Sequence, residues 1–357
     1  MSFVLIAMPS ISWKKRMPEG IPTPHYLIIA PSWVGDLVMM QTLLSLLKQR
    51  EPCRITVLAQ AWGQGMLQLM PEIDDTMIAP FGHGDFQPLK RWQFGRGLRQ
   101  RGFTHAIVLP NSWKSAIITF AAEIPTRTGW RGEYRYGLLN DVRNLDKARY
   151  PLMIERFMAL GLPVDADLPE PQWPRLQIKP ETVSDVLNAQ GLSTERPILA
   201  LCPGAEYGPA KRWPTEHFAA VARKKLAAGW QVWLLGSAKE IVLAEEIQAL
   251  TDAECINLTG KTSLPQVIAL LSLAKAVVCN DTGLMHIAAA VARPLVAVYG
   301  SSSPQFTPPL AQNVDIVTLN KSCSPCFART CQFGHNACLK DLMPERVLAG
   351  IDRLCES

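Results

Sequence analysis

Short apolar runs that read as strands alternate along this chain with stretches whose apolar residues recur at helical spacing. That alternation runs through twice, and it leaves few folds open. Strand-helix alternation builds a parallel sheet covered by helices, because parallel neighbours need a crossover connection. In the first round, strands are expected at 26–30, 54–59, 76–79, 104–109 and around Arg127. An apolar helical pattern runs through Leu37, Met40, Leu43, Leu44 and Leu47, a short helix lies near Met66, and further helices cover 90–101 and 115–122. In the second round, strands are expected at 198–202, 231–235, 276–279 and 295–299. Their helices fall at 215–228, 239–250, 264–273 and 284–291, with a last one at 344–355. Between the rounds, 168–174 reads Leu-Pro-Glu-Pro-Gln-Trp-Pro, whose proline density suggests an extended linker.

The 357 residues suit two domains at the usual prior of about 150 residues each. The expected division is an extension at 1–23, a first domain at 24–175, a second at 176–340 and a C-terminal helix at 341–357. The fold class is α/β: two doubly wound, Rossmann-like domains facing across a cleft. Ligands of such sheets bind beyond the carboxyl ends of the strands. Apolar residues make up 48% of the chain and charged residues 19%, which excludes a disordered chain. The net charge of +5 permits an anionic partner without demanding nucleic acid, and none is expected.

No apolar run reaches the ~18 residues of a membrane span. The opening stretch is apolar, but Lys14, Lys15 and Arg16 follow it, whereas a secretory signal carries its positive charge first. The nine cysteines are therefore expected to be mostly reduced thiols of a cytoplasmic protein. No G-x-G-x-x-G follows a strand, which argues against nicotinamide binding, and H-E-x-x-H and G-x-S-x-G are absent. Gly260-Lys261-Thr262 resembles the end of a P-loop, but the first glycine of that motif would fall at Cys255.

Three strand-to-helix turns carry chemistry. Asn280-Asp281-Thr282-Gly283 ends a strand and opens the helix containing His286. Such a helix start offers unpaired N–H groups and a positive dipole end to a phosphate, and Asp281 or Thr282 could equally be a simple N-cap. Segment 202–214, from Cys202-Pro203-Gly204 to Lys211-Arg212-Trp213-Pro214, is a Gly/Pro-shaped loop. Its cations would suit a pyrophosphate or simply face solvent. Pro31-Ser32-Trp33-Val34-Gly35-Asp36 puts a carboxylate at the mouth of the first strand. It is either a base for a sugar hydroxyl or an ordinary helix cap.

Together these segments resemble the lipopolysaccharide heptosyltransferases. The resemblance runs from about Tyr26 to the C-terminus and is also carried by 109–112 (Leu-Pro-Asn-Ser), 126–133, 136–143, 236–239 (Gly-Ser-Ala-Lys) and 299–304. It implies a GT-B fold, with the acceptor on the first domain and the donor nucleotide mainly on the second. It implies ADP-L-glycero-β-D-manno-heptose as donor and heptosyl-Kdo2-lipid A as acceptor, joined with inversion and without a metal or other cofactor. On that resemblance Asp36 is the base and Lys211 stabilises the leaving ADP. Gly35, Gly204, Ser237, Lys239, Asp281, Thr282, Gly283 and His286 are donor-binding, and Asn111, Arg127, Arg131 and Arg135 acceptor-binding. The enzyme would work at the inner face of the inner membrane, peripherally, and the basic helix with Lys90, Arg91, Arg96, Arg99 and Arg101 would face anionic headgroups or only water. Competing readings are a heptosyltransferase acting elsewhere on the core, a sugar-nucleotide epimerase, or a binding module built on Cys323, Cys326, Cys331 and Cys338. Those cysteines are expected to be structural thiols or disulfides in preference to zinc ligands.

Overall fold

A computed structural model describes residues 23–82 and 84–356. Among the described residues, twelve strands form two six-stranded sheets. The first contains β1 (His25–Ile29), β2 (Arg54–Ala59), β3 (Asp75–Ile78), β4 (His105–Val108), β5 (Thr126–Trp130) and β6 (Asp141–Arg143). The second contains β7 (Ile198–Cys202), β8 (Gln231–Leu234), β9 (Ile256–Asn257), β10 (Ala276–Asn280), β11 (Leu295–Val298) and β12 (Val314–Val317). All pairings are parallel, in the orders β3-β2-β1-β4-β5-β6 and β12-β11-β10-β7-β8-β9. β1, β7 and β10 are buried along their whole length, which is why they read as unbroken apolar runs.

The first sheet carries α1 (Val34–Met39), α2 (Gln41–Arg50), α3 (Gln64–Leu67), α4 (Pro88–Gly97), α5 (Trp113–Ala121) and α6 (Met153–Leu160). The second carries α7 (Pro180–Gln190), α8 (Thr215–Ala227), α9 (Ile241–Ala249), α10 (Leu264–Leu273), α11 (Gly283–Ala290), α12 (Ala337–Lys340) and α13 (Pro344–Glu356). The last helix packs on α8 and on the β10–β12 side of its sheet. Trp213 Nε1 donates to Leu342 O at 2.8 Å just before α13 begins.

Each sheet reverses its strand order once, between β1 and β4 and between β7 and β10. In register, Ile29 lies opposite Val108 and Cys202 opposite Cys279. The loops after each pair therefore emerge side by side, in the crevice where doubly wound sheets bind ligands. The segment before α7 ties the halves together. Gln177 N donates to Leu69 O (2.8 Å) on one side and Leu176 N to Ala290 O (3.2 Å) on the other.

Several elements differ from the sequence expectation. The edge strands β6, β9 and β12 were not expected; they are too short to show alternation or a sustained apolar run. Helices α6 and α7 were also missed, although Pro180 and Glu181 open α7 as helix-start residues should. The first helical pattern is carried by two helices meeting at Met40. The basic helix stops at Gly97 and a 3-10 turn over 99–101 follows. Residues 1–22 of the expected extension lie outside the described residues.

Candidate active site

The four loops leaving the two crevices carry most of the singled-out residues. On the second sheet, Asn280 joins its two loops: its Oδ1 accepts from Trp213 N (3.1 Å) and its Nδ2 donates to Pro203 O (2.7 Å). The turn after β10 is thereby fixed against the loop carrying Lys211. Lys211 Nζ lies 2.5 Å from Asp281 Oδ2 in a largely buried ion pair, and 5.2 Å from the centre of the Tyr207 ring. Thr282 is the N-cap of α11, and no side chain caps that helix. Met285 N bonds back to Thr282 O at 3.2 Å, and no side chain caps the amides of Gly283 and Leu284.

Asp36 lies in the first turn of α1, with Trp33 as N-cap. It is not the cap of its helix. Its carboxylate makes no side-chain hydrogen bond among the described residues. Burial raises its pKa to about 6; nearby Lys211 pulls it down and Asp281 pushes it up. A carboxylate from the first half thus shares a field with the ion pair of the second.

Helices α1 and α11 pack directly on each other. A Cβ on Gly35 would come 2.7 Å from His286 Cδ2, and one on Gly283 would come 2.5 Å from Val34 Cβ. Both glycines allow this close approach across the halves. The His286 ring is buried against Gly35, and burial lowers its pKa to about 4, so it is neutral near pH 7.

A cavity of about 420 Å³ opens beyond β1, β2 and β4, and every residue lining it belongs to the first half. Its polar wall includes Asp36, Gln60, Arg91, Asn111, Lys114 and Arg156. Of the residues expected to hold an acceptor, Asn111 lines it and the three arginines do not. Arg127 donates to Leu138 O (2.8 Å) and Ile124 O (2.6 Å). Arg135 is buried and donates to Pro110 O (2.6 Å) and Trp130 O, bracing the turn that presents Asn111. Arg131 is exposed outside the lining. Arg127 and Arg135 thus give hydrogen bonds to backbone carbonyls, although the buried Arg135 Nε has no hydrogen-bond partner among the described residues. Arg91 is also turned inward, onto Phe86 O and Asp85 O (both 2.8 Å).

Lys114 and Arg156 were missed as cavity residues. Lys114 sits one residue into α5, beside the Leu109–Ser112 turn, and that position was the available signal. Arg156 reaches the wall from a helix the sequence did not reveal, with its guanidinium 4.6 Å from the Phe306 ring.

On the second half, Ser237 forms a capping box with Glu240, its amide and hydroxyl donating to Glu240 Oε2 at 2.7 and 3.1 Å. A Cβ on Gly204 would overlap that carboxylate at 1.6 Å from Oε1. Glu240, not singled out from the sequence, therefore occupies the space Gly204 leaves open at the end of β8. Lys239 is exposed and paired with Glu206 at 2.5 Å.

Cys323, Cys326, Cys331 and Cys338 line one small cavity, and all are free thiols. No group of three or more His, Cys, Asp or Glu side chains among the described residues is arranged to hold a metal ion. The segment braces the Lys211 loop: Tyr207 Oη donates to Phe327 O (2.8 Å) and Ala210 N to Arg329 O (3.1 Å).

Residues 91–337 match the model of glycosyltransferase family 9 (heptosyltransferase). Lipopolysaccharide heptosyltransferase 2 of Escherichia coli K12 is 46% identical over 92% of this chain and 97% of its own length. Lipooligosaccharide heptosyltransferase 2 of Haemophilus influenzae is 43% identical over 92% of this chain and 99% of its own. The solved structure of E. coli ADP-heptose LPS heptosyltransferase II superposes with a TM-score of 0.85 at 44% identity, covering 93% of this chain and 98% of that one.

Proposed function

Because the chain belongs to glycosyltransferase family 9, the heptosyltransferases, and has their GT-B fold, we propose that it is an ADP-heptose:lipopolysaccharide heptosyltransferase II. In this reading it transfers L-glycero-D-manno-heptose from ADP-heptose to the first heptose of heptosyl-Kdo2-lipid A, inverting the anomeric centre. The observation that carries the mechanism is the meeting of Asp36 with the Lys211–Asp281 pair and the open start of α11 across the α1–α11 contact.

Inversion needs one in-line displacement. The acceptor hydroxyl oxygen bonds to the anomeric carbon, the bond from that carbon to the β-phosphate oxygen breaks, and the hydroxyl proton passes to Asp36. A base should be ionised at working pH yet basic enough to take the proton, and a carboxylate at about 6 meets both needs near pH 7. ADP leaves with added negative charge. Lys211 and the amides opening α11 lie on the donor side to stabilise it, with no metal in the scheme. The Lys211 ammonium has three N–H donors, so it can engage phosphate while one of them stays on Asp281.

The acceptor takes the first-half cavity, whose lining offers Lys114, Arg156 and Asn111 as contacts for its anionic sugars, while Arg127, Arg131 and Arg135 lie outside that lining. Glu240 Oε1, facing Gly204, is placed to accept a hydrogen bond from the donor ribose, as carboxylates after the second strand of such sheets do. His286, Gly35 and Gly283 serve the donor site indirectly, by letting the two halves close on each other. The acceptor is lipid-anchored, so the protein works at the inner face of the inner membrane. Among the described residues no helix is long and apolar enough to cross a membrane, and the association proposed is peripheral.

The test is incubation of purified protein with ADP-heptose and heptosyl-Kdo2-lipid A, read by mass spectrometry and by the anomeric configuration of the product. One added α-linked heptose is expected. Transfer to Kdo2-lipid A lacking heptose would assign a different core position. Conversion of the donor without acceptor would indicate an epimerase.

A further inference from the structure

The surface beside the mouth of the first-half cavity is apolar and basic at once. Phe86 (57% exposed), Leu89 (77%), Trp92 (39%) and Trp113 (37%) come from the start of α4, the turn before it and the first residue of α5. Phe86 and Trp113 stack with ring centres 6.0 Å apart, both facing solvent. The contact joins the two elements beside the cavity, whose lining includes Gly82, Gly84, Ser112 and Lys114. Single exposed apolar residues need no explanation, but a group of large ones rimmed by charge marks an interaction surface.

The cations of this region divide by burial. Arg91 turns into the cavity wall, Arg99 pairs with Glu123 at 2.8 Å and Arg101 with Asp75 at 3.9 Å. Lys90, Arg96 and Lys114 make no ion pair among the described residues. The outer face of α4 therefore combines a strongly exposed leucine and tryptophan with unpaired positive charge. Aromatic and aliphatic side chains settle at the boundary of headgroups and acyl chains, while basic residues hold the anionic headgroups.

We propose that Phe86, Leu89, Trp92 and Trp113, with Lys90 and Arg96, form the surface that docks on an anionic lipid bilayer, so that the cavity mouth opens at the headgroup level. The inference rests on the lipid-linked acceptor of the proposed function, and it assigns the docking face. A sugar chain fixed to the bilayer can then enter the cavity without leaving its lipid anchor. Binding has two parts: attraction that falls with salt and shallow apolar insertion that does not.

The test uses the full chain with vesicles of phosphatidylglycerol and phosphatidylethanolamine, read by flotation at low and high ionic strength. Leu89→Asp removes the most exposed apolar group, and an acidic residue in the first turn of α4 is compatible with the helix dipole. Leu89→Asp is expected to weaken vesicle binding by about tenfold or more. Lys90→Gln with Arg96→Gln is expected to weaken it at low salt and flatten its salt dependence. Both variants should keep the wild-type rate on a water-soluble heptosyl-Kdo2 acceptor lacking acyl chains, and the wild-type melting temperature. Equal vesicle binding by wild type and Leu89→Asp would overturn the proposal. So would binding by none of the proteins while soluble transfer persists, which would leave the functional reading intact. Failure of the wild type to transfer heptose to heptosyl-Kdo2-lipid A would overturn the functional reading, and flotation would still report on the surface. Self-association of wild type lost in Leu89→Asp, without vesicle binding, would assign the face to a second copy and overturn the lipid assignment.

Discussion

Lys211 Nζ lies 2.5 Å from Asp281 Oδ2, so the cation that should meet a departing diphosphate is already held by a carboxylate of the same site. The two residues come from loops on adjacent strands, β7 and β10. A donor phosphate would therefore share the Lys211 ammonium with Asp281. The pair keeps the site electrically balanced before the donor arrives.

Replacing Lys211 should separate its two roles. Lys211→Ala removes stabilisation of the leaving group and should lower kcat by roughly 10²–10³. It also strands the buried Asp281, at a cost of about 3 kcal/mol or more in stability. Adding Asp281→Asn should restore the melting temperature but not kcat. A Lys211→Ala variant that raises only the acceptor KM would move Lys211 to the acceptor side.

Asp36→Asn preserves shape and removes basicity. Turnover should fall roughly 10²–10⁴-fold while ADP affinity, measured by calorimetry, stays close to wild type. Near-normal turnover by the folded variant would eliminate Asp36 as the base.

The pH dependence follows from the raised carboxyl. Its base form is present above about 6, so kcat/KM should rise with pH up to that region and then level off. Asp281 raises this pKa, so Asp281→Asn should shift the acid limb to lower pH. The linkage to stability has the opposite sense. Asp36 is harder to ionise in the fold than in the unfolded chain, so stability falls as pH rises from its ordinary value of 3.8 to about 6 and stays lowered above that. Asp36→Asn should therefore raise the melting temperature more at pH 8 than at pH 5.

The α1–α11 contact leaves no room for a methyl group. Gly35→Ala would press on the buried His286 ring, and overpacking of this kind costs typically about 1–3 kcal/mol. Activity should fall with it, because Asp36 is the next residue. Combining Gly35→Ala with His286→Ala should recover activity relative to Gly35→Ala alone. No recovery would mean that the ring does more than pack.

Backbone amides led by that of Asn336 hold the Cys331 thiol below its ordinary pKa, whereas burial pushes Cys338 up. Iodoacetamide at neutral pH should label Cys331 before Cys338, as followed by peptide mass spectrometry. A chelator should leave the initial transfer rate unchanged. Rapid, metal-reversible inactivation without unfolding would assign these thiols to a catalytic metal.

Much of the scaffold was readable because its middle strands are buried on both faces. Segments such as 26–30 and 276–279 must then be apolar throughout, and that leaves a one-dimensional trace. β6, β9 and β12 lie at or near the sheet edges, where short pairings leave little trace. The turns holding Asp36, Lys211 and Asp281 were also readable, because each follows a strand directly and is polar where the strand is not.

The sequence by itself therefore determined the two strand-helix rounds and the turns that carry the chemistry, since local burial and turn geometry act through neighbouring residues. Which partner each side chain meets was decided only in three dimensions. Lys211 finds Asp281 70 positions away, and His286 covers Gly35 from the opposite half of the molecule. Arg127 and Arg135 read like Arg131 as basic residues of one segment, yet backbone carbonyls take up the first two and leave the third exposed. A charged side chain settles wherever the folded chain offers unpaired acceptors, and those acceptors exist only once β4, β5 and the turns between them have packed.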